Sequence, residues 1–278
     1  MAEGFGDFYG GGAMNISRYL RIYWQFIKIN FNLLLVYRAN LVNHVINSVA
    51  WTFFLFMSVF LLTSQVPSIA GWDRSSLLIL ASMYNLVIGV FYVICTTGFR
   101  DMASVIFLGK LDMYLLKPID SQFHVSLHAV NLPGLVRPLI GAVCIAILLA
   151  QNNLHPSAFS LFLFVASLIV TLVFLYSVWF LIMTLLIWFP RLENLVELIF
   201  GISGQGKNPR EVLKPFGSSP LIFLILPFFL TVSVPAKQLL GKGNLIEIII
   251  FGAVAIVLFI LSQLFWKYAL RSYVGGSV

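Results

Sequence analysis

The chain has 278 residues, 60% of them hydrophobic and only 10% charged, where a soluble domain runs at about half apolar and about a quarter charged. A mean hydropathy of +0.98 agrees, and together these exclude a soluble enzyme, a disordered chain and a nucleic-acid-binding domain. The net charge of +7 then reads as basic residues held in the loops on one side of a membrane.

Residues 1–15 are rich in glycine and carry Glu3 and Asp7. A cleavable signal would be basic and then apolar, so a disordered leader is expected, with Met14 as an alternative start. Residues 16–40 are patterned differently from the spans. Arg18, Arg21, Gln25, Lys28 and Asn32 are spaced 3, 4, 3 and 4 apart among Ile16, Tyr19, Leu20, Tyr23, Trp24 and Ile27. This spacing predicts one polar stripe on a helix. The pattern suits an amphipathic helix in the inner interface, with Arg18, Arg21, Trp24 and Lys28 at the lipid headgroups; the alternative is an irregular extension of the first span.

Six membrane spans are predicted, over 41–63, 76–97, 130–150, 159–189, 217–236 and 245–266. Each reaches the roughly 20 apolar residues that cross about 30 Å. Pro133, Gly134, Arg137 and Pro138 fall in the first half of the third, which is expected to begin as broken helix. With the N-terminus inside, 14 Lys and Arg fall on the inner side and three (Arg74, Lys237, Lys242) outside. Both termini are therefore expected in the cytoplasm. The inner loops 98–129 and 190–216 are long and the outer ones short, which places a partner on the inner side.

The first, second, fourth and fifth spans contain no Asp, Glu, Lys or Arg. Ion-coupled transporters keep ionisable groups at mid-membrane, so an energy source outside the membrane domain is expected. Cys95 and Cys144 lie in apolar stretches and read as buried thiols. Gly201 to Asn208 nearly fits the phosphate-binding pattern G-x-x-x-x-G-K-[ST], but Asn208 has no hydroxyl for Mg²⁺ and no strand precedes it. A flexible loop with a basic end is the better reading. His124 and His128 stand four apart and would need Asp120 and a further ligand to hold a metal. The Asn15-Ile-Ser17 sequon reads as chance.

The loop 98–129 is the most informative stretch. It runs Phe99-Arg100-Asp101, then Gly109-Lys110-Leu111-Asp112-Met113-Tyr114-Leu115-Leu116-Lys117-Pro118-Ile119-Asp120. Charges of both signs mixed with apolar residues suit a short amphipathic helix that docks in a groove on another protein. A helix lying on the membrane surface is the alternative.

Gly109-x-Leu111-Asp112-x-x-Leu115-Leu116-Lys117-Pro118-Ile119 resembles the cytoplasmic loop of ABC-2-type permeases, the membrane subunits of type-2 ABC exporters. Tyr37-Arg38-Ala39-Asn40, Glu193-Asn194-Leu195-x-Glu197-Leu198, Leu226-Pro227 with Pro235-Ala236-x-x-Leu239-Leu240-Gly241, and Trp266 with Tyr273 extend the likeness over 37–273. The resemblance implies an all-α membrane protein of type-2 ABC exporter architecture, in which an amphipathic interfacial helix precedes the six-helix domain 41–273. It implies a multi-pass subunit of the bacterial cytoplasmic membrane without catalysis of its own. It implies a cytoplasmic ABC ATPase that carries ATP and Mg, and a second permease, identical or related, beside it. No cofactor is expected on this chain. By that resemblance Arg100, Asp101, Gly109, Leu111, Asp112, Leu115, Leu116, Lys117 and Pro118 contact the ATPase and move with the interfacial helix. The stretch Pro227 to Gly241 would re-enter the outer leaflet. An apolar pathway suits a hydrophobic or amphipathic cargo, such as a lipid, peptide, drug or glycan-like molecule. A secondary transporter or channel working without ATP is the competing reading; it would show a mid-membrane ionisable group or an inverted repeat. A lipid-processing enzyme would need a cluster such as Asp120, His124 and His128.

Overall fold

The computed structural model describes residues 16–36, 38–66, 68–69, 71–190, 207 and 220–273. Helix α1 covers Ile16–Val36 and α2 Arg38–Gln65. Strands β1 (Ser68–Ile69) and β2 (Trp72–Asp73) form an antiparallel hairpin, a small exception to the all-helical expectation. Helix α3 (Arg74–Phe91) continues through a π-helical turn, Tyr92–Thr96, into α4 (Thr97–Phe107). Two short helices come next, α5 (Asp112–Leu115) and α6 (Ser121–Leu127). A 3₁₀ turn, Leu132–Leu135, opens α7 (Val136–Gln151). Helix α8 (Ala158–Thr184) tightens into a 3₁₀ turn over Leu185–Ile187, and α9 (Pro220–Leu239) and α10 (Leu245–Ser272) are the last two helices.

These apolar segments are helical because lipid offers their backbone no hydrogen-bond partners, and a helix closes its own. Among the described residues, five stretches are long and apolar enough to cross a membrane: Leu41–Gln65, Arg74–Phe107, Leu132–Gln151, Ala158–Ile187 and Leu245–Ser272. Helix α9 occupies most of the expected fifth span, whose residues 217–219 lie outside the described residues. The leader 1–15, Tyr37 of the Tyr37–Asn40 motif, the loop 190–216 apart from Pro190 and Lys207, and with it Glu193–Leu198 and most of the phosphate-loop look-alike, also lie outside them.

Two boundaries differ from expectation. The second span does not end at Thr97. Its helix runs on to Phe107, because the π turn absorbs one extra residue without breaking the chain of hydrogen bonds and keeps Gly98, Phe99, Met102 and Ile106 on the buried side. The third span does begin irregularly. Pro133 stands in the first turn of the 3₁₀ segment, where its missing N–H has no bond to lose, and the Asn131 side chain accepts from Gly134 N at 3.3 Å.

Helix α3 is the centre of the molecule; Ile79, Leu80 and Met83 are fully buried. Helices α7, α8, α9 and α2 pack around it, and α10 lies along α8. An aromatic cluster holds one end of this core. Trp179 sits 5.4 Å from Phe91 and 5.8 Å from Phe99, and Trp266 sits 5.2 Å from Phe180, centroid to centroid. The outward faces of α2, α8 and α10 are apolar and exposed, as with Ile46, Phe53, Phe54, Phe162, Ile169, Ile249 and Ile256. Only a lipid or protein neighbour suits such faces.

Candidate functional site

The segment from Thr97 to His128 is built as a helical extension, a knuckle and a return. Helix α4 carries the long run past the core and stops at Gly109. There the N–H of Gly109 donates to Ile106 O at 3.1 Å and that of Lys110 to Val105 O at 2.9 Å. This pair of bonds is a Schellman cap, and Gly109 takes the positive φ of 65° that the cap requires. The chain then drops the Leu111 side chain into the core, where it is fully buried. The turn of α5 comes next, and Asp120 starts α6 by accepting from Phe123 N at 2.8 Å.

Anchoring Leu111 turns its neighbours outward. Leu116 is 85% exposed and Met113 65%, and Phe107 and Leu108 at the end of α4 are also open. Four large apolar side chains thus gather on one knuckle beyond the spans. Lys117 stands at its rim with Nζ 5.8 Å from the Tyr114 ring centre. Asp112 and Pro118 are exposed, Leu115 is half-buried, and Arg100 and Asp101 lie one to two turns back on α4. The residues expected to contact a partner therefore divide. Leu116, Lys117, Asp112 and Pro118 are presented, while Leu111 and Leu115 hold the knuckle in place.

The knuckle is tied to α1. Arg18 Nη2 donates to Pro118 O at 2.8 Å, the Asp120 N–H donates to Tyr19 Oη at 3.2 Å, and Asn30 Nδ2 donates to His128 O at 3.4 Å. Phe123 meets Tyr19 edge-on at 5.0 Å, and Phe26 stacks on His124 at 6.0 Å. Helix α1 therefore has three faces, one more than the polar stripe and apolar remainder expected from its spacing. Tyr19, Tyr23, Phe26 and Asn30 lie against α6. Arg18, Arg21, Gln25 and Lys28 form the exposed basic stripe, and Leu20, Trp24 and Phe31 form an exposed apolar edge. Lys28 Nζ sits 5.9 Å over the Trp24 ring.

The other side of α6 is fastened to the membrane helices. Trp266 Nε1 donates to Ser121 Oγ at 3.0 Å, Gln122 Nε2 donates to Ser262 Oγ at 3.3 Å, and Ser126 Oγ shares a hydrogen bond with Tyr176 Oη at 2.9 Å. Gly98 lets α4 and α6 touch: a Cβ there would lie 2.0 Å from Ser126 O. Sequence reasoning names none of Ser121, Gln122, Ser126, Ser262 or Tyr176. The one signal in the sequence is the polar run within 120–128, which by hydropathy reads as loop.

The histidine pair sits inside this joint. The Tyr114 ring lies 4.9 Å from His124 and 5.3 Å from His128, and His128 Nε2 is 3.3 Å from Asp101 Oδ2. Burial, then the charges of Lys117 and His128, holds the His124 imidazole down at about 4. Asp120 serves as a helix cap, and among the described residues no three His, Cys, Asp or Glu converge as metal ligands would. These two imidazoles pack against Tyr114, and His128 bridges to Asp101.

Compared with known proteins, the sequence matches the profile of a family described as ABC-2 family transporter protein over residues 49–277. No curated protein matches it.

Proposed function

We propose, from the premise that this chain belongs to the ABC-2 family of transporter proteins, that it is the membrane subunit of an ATP-driven exporter whose ATPase is a separate cytoplasmic chain. The knuckle of Phe107, Leu108, Met113, Leu116 and Lys117 is the docking site for that ATPase. The observation that carries the reading is the placement of this exposed apolar cluster. It stands at the free end of an unbroken helical run from the core, and it is fixed to α1 on one side and to α8 and α10 on the other. A load applied there reaches three sets of membrane helices directly.

A second permease, identical or related, covers part of the exposed apolar faces, and bilayer lipid covers the rest. The basic stripe of α1 lies at the headgroups of the inner leaflet, with both termini in the cytoplasm of a bacterial cell. The cargo is hydrophobic or amphipathic, in keeping with spans that carry almost no charge.

Leu116→Asp and Lys117→Glu test the docking site, since both side chains are exposed. The expected result is loss of the ATPase on co-purification from mild detergent, with the permease still inserted and its melting temperature unchanged. Retention of the ATPase by both variants would overturn the assignment. The same purification reveals whether the second permease is a copy of this chain.

A further inference from the structure

Arg137 is a cation set inside a membrane span. It stands in the first turn and a half of α7, five residues inside the end of the stretch Leu132–Gln151, roughly 8 Å along the axis at 1.5 Å per residue. Its Nε donates to Asn85 Oδ1 at 3.2 Å. Its guanidinium carbon sits 5.1 Å from the Tyr84 ring centre and 5.5 Å from that of Tyr92. Asn85 and Tyr84 come from mid-α3, so the site bridges two packed helices and is not a chain end snorkelling to water.

This arrangement holds the guanidinium but does not neutralise it. No carboxylate faces it among the described residues, and its two terminal amino groups make no hydrogen bond there. Beside it Asn85, only 1% exposed, has its Nδ2 buried with no partner. Unpaired donors in a low-dielectric site are costly and ordinarily find an acceptor. Arg137 itself is only part-buried, and it lies in a stretch apolar enough to cross a membrane. An acceptor can therefore approach from the membrane side. Arginine's planar fork fits a phosphate or a carboxylate with two parallel bonds, and the Asn85 amide supplies one more donor.

The geometry points to an anion site formed by Arg137 and Asn85 and walled by Tyr84 and Tyr92, which takes the phosphate or carboxylate head of an amphiphile whose tail lies in the bilayer. The site does not depend on the ATPase-driven reading.

The test uses the full chain in nanodiscs of phosphatidylcholine titrated with long-chain phosphatidate, with lipid retention read by native mass spectrometry. Asn85→Asp is the main variant: it keeps the size of the side chain and places a carboxylate where it pairs with Arg137. The expected result is at least tenfold weaker retention of phosphatidate in Asn85→Asp and Arg137→Gln, and a smaller loss in Arg137→Lys, which keeps the charge but not the planar fork. Lys242→Gln, in the exposed turn between α9 and α10, should leave this retention unchanged. Equal retention by wild type and Asn85→Asp, both folded, would overturn the site. Displacement of the lipid by millimolar inorganic phosphate would overturn the amphiphile as ligand. With the ATPase present, phosphatidate that raises ATP hydrolysis in the wild type but not in Asn85→Asp is cargo; phosphatidate that binds without raising it is a resident lipid. Either of these supports the site.

Discussion

His124 shows how one side chain can make the whole joint sensitive to acid. Its imidazole is held down at about 4 by burial, with Lys117 and His128 adding to the effect. In the unfolded chain it returns to an ordinary value near 6.5. Between these values the unfolded state binds the extra proton. Stability that is complete above pH 6.5 is therefore lost as the pH falls toward 4, by at most about 1.4 kcal/mol per pH unit. The melting temperature of the purified chain should fall across this window, and His124→Asn should flatten the fall; identical pH profiles would refute the assignment. Gly98 makes a second prediction at this scale. A methyl group there would meet the Ser126 carbonyl oxygen at 2.0 Å, and backbone cannot give way as a side-chain tip can. Gly98→Ala should cost on the order of 1–3 kcal/mol, the range for overpacking, seen as a lower melting temperature.

At the scale of the element, α6 is seven residues long and too short to persist alone. Its neighbours hold it. Tyr19 and Phe123 meet edge-on at 5.0 Å, a geometry worth about 0.5–1.5 kcal/mol beyond area. A double-mutant cycle with both residues changed to alanine should return a coupling in that range, and additive effects would mean that α1 merely lies nearby. Trp266→Phe removes the indole donor to Ser121 and should cost about 1 kcal/mol. The spans are legible in the sequence because an uninterrupted apolar run of 20 residues has few other uses. The extension of α3 into α4 is not. Arg100 and Asp101 look like a loop by hydropathy, though they sit on the open side of a helix whose other side is buried. Nor is the tie between Arg18 and Pro118, a hundred residues apart, which no local pattern encodes. Leu111 shows the same limit: it lies in a motif that reads as contact surface, yet it is the anchor that turns Leu116 outward.

Over the whole molecule, the exposed apolar faces of α2, α8 and α10 decide how the protein is handled. It should stay in the membrane fraction through alkaline carbonate washing, and release there would refute the multi-pass reading. Sidedness can be checked on a background lacking Cys95 and Cys144. A cysteine placed at Met113 should react with an impermeant maleimide only after the cytoplasmic face is opened, and one at Asn153 should react in intact cells. The reverse pattern would invert the topology. The stretch Arg74–Phe107 gives the molecule its mechanical character. Its 34 residues extend about 50 Å at 1.5 Å per residue, with a turn of altered pitch but no joint. On the proposed function it would act as a pushrod, since no loop lies between the Gly109 end and the β1–β2 hairpin to take up slack. One residue added to or removed from this rod would leave its length almost unchanged and turn one end against the other by about 100°. The subunit should therefore tolerate changes in the chemistry of that helix far better than changes in its count.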